Sequence, residues 1–210
     1  MSRGVAGNIF NLVIGAVFGA VVGLVLGVAL EDPVNRFWHR LKDDTYQLDD
    51  QDIEIVASST LASQDGCRYA ICNYSPDNLT DSRLKSAWAS DGSVSERPEL
   101  QILLLQDSIT IDRLEIWPGW QDGDGCRMRR NARPREIEFL DEESNRISNP
   151  AVLKDAASGT REDDVTVVPV GWSSRVLRIR INDTYPGQDC NGRTADPDVL
   201  ISEIEVYARY

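Results

Sequence analysis

Beyond residue 52, apolar side chains come in short alternating runs separated by turn-rich stretches. Ile53 and Ile55 alternate with acids, and Val56 follows. Leu100 to Leu105 is apolar except for Gln101. Ile109, Ile111, Leu114 and Ile116 alternate with polar residues, with a phase slip at Asp112-Arg113 that predicts a turn or bulge. Ile137 and Phe139 alternate with Glu136 and Glu138, and Val165, Val167 and Val168 form a further run. Leu177, Ile179 and Ile181 alternate with Arg178, Arg180 and Asn182, the cleanest half-buried strand in the chain. Ile201, Ile204 and Val206 lie in a last run from Val199 to Tyr207. About eight short strands without a long helical period predict a mainly β domain, an antiparallel β-sandwich or jelly roll, over residues 51–210.

The first 30 residues follow another pattern. Gly4 to Leu30 carries no charge, and Leu12 to Leu30 is 19 residues without a polar side chain. A helix needs about 20 apolar residues to cross a bilayer. A secretory signal peptide is the rival reading, with Gly27-Val28-Ala29 as its small-x-small site, but its apolar region is usually about 7–15 residues. Residues 1–30 are therefore expected to hold one transmembrane helix. Gly15, Gly19, Gly23 and Gly27 recur every fourth residue, which puts them on one helical face. Such a glycine zipper lets a second helix approach closely and predicts homo-oligomers in the membrane. Residues 31–50 read as a juxtamembrane linker. Phe37, Trp38 and Leu41 sit among Arg36, His39, Arg40 and Lys42, and a run of aspartates follows.

Charge and cysteine content narrow the function. With 22 basic and 34 acidic residues the net charge is −12, which argues against general nucleic-acid binding. The single histidine, His39, lies outside the β region, so no histidine-based triad can form within it. No P-loop, nucleophile elbow or HExxH motif is present. The four cysteines, Cys67, Cys72, Cys126 and Cys190, lie in predicted loops and fit disulfides of an exported domain better than zinc, since no CxxC pair occurs. Of three connectivities, the expected one pairs Cys67 with Cys72, closing a small loop, and Cys126 with Cys190, stapling two long loops. Basic residues after the apolar run favour a cytoplasmic C-terminal side. The disulfides outweigh them and place the domain outside the cytoplasm.

Several motifs resemble a known group. Ala57-Ser58-Ser59-Thr60-Leu61 resembles an opening strand of the discoidin-like, galactose-binding β-sandwich superfamily. Tyr74 to Asp81 followed by Ser86-Ala87-Trp88 is similar to the "P-x-N-L-x-D…T-A-W" signature of the NADase-type glycan-binding domains within it. Asn131 to Ile137 and Leu200 to Tyr207 resemble that group's "N-x-R-P-K-E-I" and "I-S-E-I-x-V-Y" stretches. The motifs occur in the right order from about residue 53 onward. Ser82 stands where the group usually has glycine. The resemblance implies a discoidin-like sandwich that binds ligands through its end loops. It makes Asp81, Trp88, Ser202 and Glu203 structural residues.

The candidate binding loop runs from Trp117 to Arg135. Trp117 and Trp120 offer flat faces for a sugar, and Arg127, Arg129, Arg130 and Arg133 offer forked hydrogen bonds to hydroxyls or anions. Tyr185, Asp189 and Arg193 join them from a second loop if Cys126 pairs with Cys190. Asp122 and Asp124 are the candidate ligands of a structural calcium ion; no other cofactor is expected. The expected protein is a single-pass cell-membrane protein whose non-enzymatic, extracytoplasmic domain binds a glycan or an anionic surface polymer. A protein-binding scaffold assembled by the transmembrane helix is the alternative. A glycoside hydrolase is the third reading, supported only by abundant carboxylates.

Overall fold

The structure is a computed structural model. It describes residues 45–63, 73–92, 97–107, 109–121, 125–155 and 164–209. The chain divides into two units, Met1–Tyr46 and Gln47–Tyr210. The expected transmembrane helix with Gly15, Gly19, Gly23 and Gly27 lies outside the described residues, as do Cys67, Cys72, Asp122, Asp124 and the side chain of Arg127. Among the described residues no helix is long and apolar enough to cross a membrane.

Ten strands make up the described fold: β1 (Tyr46–Gln47), β2 (Ile53–Ala57), β3 (Trp88–Ala89), β4 (Glu99–Leu104), β5 (Thr110–Pro118), β6 (Asn131–Leu140), β7 (Ala151–Val152), β8 (Thr166–Trp172), β9 (Val176–Tyr185) and β10 (Asp196–Arg209). A 3-10 turn (Pro76–Leu79) and one short helix, α1 (Gly125–Arg130), complete the described elements. Each apolar run noted beyond residue 52 coincides with one of the strands. The main strand order is β2-β4-β9-β6-β10-β5-β8. One layer is β2-β4-β9-β6, with β7 beside β6; the other is β10-β5-β8, with β3 beside β10. The expectation of a purely antiparallel sandwich needs one correction. The layers join where Asp196 and Val199 run parallel to Asn131 and Ala132.

Alternation explains which side chains are buried. Leu100 and Ile102 of β4, Ile137 and Phe139 of β6, and Leu177, Ile179 and Ile181 of β9 are buried. So are Leu114 and Ile116 of β5 and Ile204 and Val206 of β10. The polar positions between them pair across strands. Arg180 lies in register with Glu99 on one side and Glu138 on the other, bonding them at 3.2 and 3.3 Å. Arg146 holds the second oxygen of Glu138 at 2.7 Å. Opposite charges placed directly across neighbouring strands stabilise the pairing and set the register. The phase slip at Asp112 is a bulge. Ile111 and Arg113 oppose consecutive residues of β10, Ala208 and Tyr207, so Asp112 is the extra residue. Beyond the bulge, Arg113 packs over the Tyr207 ring, 3.9 Å from its centroid.

The signature stretch closes the side of the sandwich. Asn78 donates to the carbonyls of Ala87 (3.0 Å) and Asn73. Asp81 accepts from the Arg83 N–H at 2.8 Å and the Ser86 hydroxyl at 2.7 Å. Those bonds fold the chain so that Trp88 enters the core, fully buried, with its indole N–H on the Ser59 carbonyl. Ser202 accepts the Gln121 N–H at 2.9 Å, and its hydroxyl lies within hydrogen-bond distance of the Gly119 and Leu84 carbonyls. The structural roles of these residues follow from such bonds.

Ser82 has a φ of 58°, the left-handed region that glycine adopts without penalty. A residue with a Cβ pays about 1–2 kcal/mol there, partly offset by glycine's larger unfolded-state entropy. Ser82→Gly is therefore expected to stabilise the domain by about 0.5–1 kcal/mol, raising Tm by about 2 °C. An unchanged or lower Tm by calorimetry would show that the serine side chain compensates for its backbone.

Candidate functional site

The registers gather one set of loops at one end of the sandwich. β2 and β9 end there, while β4, β6 and β10 begin there. Helix α1 leads directly into β6, and the 186–195 turn joins β9 to β10. Cys126 of α1 is bonded to Cys190 of the turn, with a Cα–Cα distance of 5.6 Å. The expected staple between the two long loops is present.

Backbone contacts tighten the staple. The Gln188 N–H donates to the Arg129 carbonyl at 2.8 Å. Cys190 and Arg193 exchange two backbone bonds of 3.0 Å, closing a tight turn with Asn191 and Gly192 at positive φ. Gly187 presses against α1. A Cβ there would stand 2.1 Å from the Arg130 carbonyl oxygen, so only glycine lets the turn approach this closely.

The predicted binding residues separate into two groups. Trp117 and Trp120 are only 3% and 6% exposed, so neither presents an open ring face to a sugar. Trp117 lies in β5, paired with Glu203 of β10. Trp120 packs in a cluster with Tyr74, Ala87, Ala89 and Leu200, edge-on to Tyr74, and donates its indole N–H to the Lys85 carbonyl at 3.0 Å. Arg133 is also withdrawn. It is a buried residue of β6, bonded to Asp155 at 2.7 Å and to the Asn131 carbonyl. Tyr185 is half-buried and donates its hydroxyl to the Leu153 carbonyl. The predicted long loop from Trp117 to Arg135 is thus mostly regular structure, formed by the end of β5, α1 and the start of β6. A six-residue helix is too short to announce itself by periodicity.

Arg129, Asp189 and Arg193 remain at the surface, with Arg130 partly exposed. The Asp189 carboxylate accepts the Ala195 N–H at 2.8 Å, which fixes the turn. A second acidic group stands beside the staple at the start of β10. Asp198 accepts the Gly92 N–H at 2.8 Å, and its carboxyl is pushed up to about 6 by burial, then by Asp196 and Asp91, against the pull of that N–H. Asp91 and Gly92 belong to no periodic run; their signal in the sequence is the Asp-Gly pair, a common turn former.

Glu203 is buried on the side of the sandwich. Its carboxyl, pushed up to about 8, responds first to burial and then to the Asp81 carboxylate. Glu205 adds to this, while the backbone N–H groups of Ser82 and Arg83 oppose it. One of its oxygens has no hydrogen-bond partner. On the same side a cleft of about 510 Å³ runs between β2 and the 3-10 turn, walled by Asp50, Glu54, Asp77 and Asp81 over Ile53 and Ile55. It contains none of the predicted binding residues.

The expected calcium ligands Asp122 and Asp124 lie outside the described residues. Among the described residues no group of three or more His, Cys, Asp or Glu could hold a metal ion. Both oxygens of Asp81 are already hydrogen-bonded.

No family model matches the sequence, and no curated protein matches it significantly. Among solved structures, the chain is similar to the F5/8 type C domain of a Bacteroides fragilis protein, with a TM-score of 0.53 and 12% identity over 80% of this chain and 98% of that one. It is also similar to CBM32-3 from a family 31 glycoside hydrolase of Clostridium perfringens, with a TM-score of 0.50 and 16% identity over 78% and 96% of the two chains. These likenesses, together with the two strand layers, give this chain a discoidin-like β-sandwich fold.

Proposed function

We propose that the β-sandwich is a non-enzymatic carbohydrate-binding module of the NADase-type glycan-binding kind. Its ligand end is the stapled surface of α1 and the 186–195 turn. The observation that carries this reading is the Cys126–Cys190 bond, which holds two loops together at the end where the strands deliver their connections. A surface fixed in this way presents Arg129, Asp189 and Arg193 with little ordering cost on binding. The fold supports the reading: one solved structure of similar fold is itself named a carbohydrate-binding module. The apolar N-terminal run, read as a membrane anchor, displays the module outside the cytoplasm. The glycine zipper clusters copies so that weak sites gain avidity.

A glycan panel screened by thermal shift on the full chain in detergent micelles tests the proposal. A bound saccharide at about 100 times its Kd should stabilise the domain by about 2.7 kcal/mol. A folded protein that no saccharide stabilises would sink the reading.

A further inference from the structure

Among the described residues some arginines have carboxylate partners and others, including the scattered Arg83, Arg97 and Arg175, have none. Those of the sheets have carboxylate partners: Arg133 pairs with Asp155, Arg135 with Asp183, and Arg178 and Arg180 with Glu99. Arg129, Arg130 and Arg193 have none within ion-pair distance among the described residues. In a chain with 34 acidic residues, three arginines without a carboxylate on one small surface call for a cause.

Their placement supplies it. The Cys126–Cys190 bond, the Gln188–Arg129 bond and the close approach of Gly187 to Arg130 bring the three onto one stapled surface. Arg129 is braced by its Nε–H on the Gly125 carbonyl at 2.9 Å, so its two terminal nitrogens keep their N–H groups for another acceptor. The Nε of Arg130 is buried from solvent and has no hydrogen-bond partner. The neighbouring Asp189 carboxylate is held by the Ala195 N–H rather than by an arginine.

We propose that this surface takes the anionic group of a saccharide, a carboxylate, sulfate or phosphate, with Arg129 and Arg193 as forked donors beside Arg130. The inference rests on the carbohydrate-binding reading and specifies its ligand class. With an overall charge of −12, anion binding needs a local cluster of cations such as this one.

Calorimetric titration of the full chain with matched pairs tests it. The probes are oligogalacturonate and its methyl ester, a κ-carrageenan oligosaccharide and its desulfated form, and a phosphomannan oligosaccharide and its dephosphorylated form. Inorganic polyphosphate serves as an anion without sugar. In at least one pair the charged member should bind about tenfold tighter or more, with affinity falling as salt rises. Arg129→Gln with Arg193→Gln should reduce it to the level of the neutral member. Arg209→Gln, whose side chain belongs to an ion pair with Asp112 far along β10, should change nothing. If charged and neutral members bind alike, or the preference survives the double variant, the anionic assignment falls and the carbohydrate reading stands. If polyphosphate binds as tightly as the best saccharide, the saccharide part of the proposal is overturned. If no saccharide binds, both readings fall together.

Discussion

Replacing Cys126 and Cys190 by serine is expected to cost about 4 kcal/mol of stability, taking the chain-entropy estimate for a closed loop of this length. The bond spans 64 residues of sequence, from α1 to the turn before β10. Opening it frees that loop in the unfolded chain. In the folded protein β6 and β9 stay in register, because their own cross-strand pairing, from Arg133 with Tyr185 to Leu140 with Arg178, does not depend on the staple. The loss therefore appears as a lower Tm, by about 8–16 °C for a domain of this size, with a retained β signature. The Gln188–Arg129 bond should exchange its amide proton faster, since the covalent link no longer holds the turn to α1. Guanidinium unfolding of the double variant reads the result. A loss below about 1 kcal/mol would mean that the unfolded chain already holds these loops together.

Glu203→Gln should change the shape of the stability profile against pH. The carboxyl rises from an ordinary value of 4.5 to about 8 in the fold. The folded protein thus holds a proton that the unfolded chain releases. Stability from this group is complete below the unfolded value and is lost as pH rises toward 8, by up to about 1.4 kcal/mol per pH unit. Glutamine keeps the shape and has no proton to lose. The variant should match the wild type near pH 4 and exceed it increasingly up to pH 8, with a constant gap above. Urea midpoints across this range measure the difference, to which all other groups contribute equally. Parallel curves would show that Glu203 is ionised in the fold and neutralised by another means.

Much of the architecture could be read from alternation alone. Leu177, Ile179 and Ile181 of β9 and the slip at Asp112 both have their predicted counterparts in the structure. The Cys126–Cys190 pairing follows from which loops the strands bring to one end. Other features depend on neighbours distant in sequence. Trp117 and Trp120 sit in a stretch rich in turn residues and charge, yet β10 and the Tyr74 cluster bury them. A tryptophan has the same apolar face whether it stacks on a sugar or fills a core. Arg133 looks like its neighbours Arg129 and Arg130 until Asp155 is placed beside it. The parallel contact between β6 and β10 leaves no trace in periodicity, because each strand alternates in the same way whichever direction its partner runs.

That contact also has a temporal side. β10 pairs with β3 and β5 in one layer and touches β6 of the other, so the second layer and the join between the layers are incomplete until it docks. All these partners precede it in the chain. During synthesis the β2-β4-β9-β6 layer has all its strands before β10, but β3 and β5 lack their shared partner until β10 has emerged from the ribosome. The domain is built to complete its fold late, through pairings of long sequence separation.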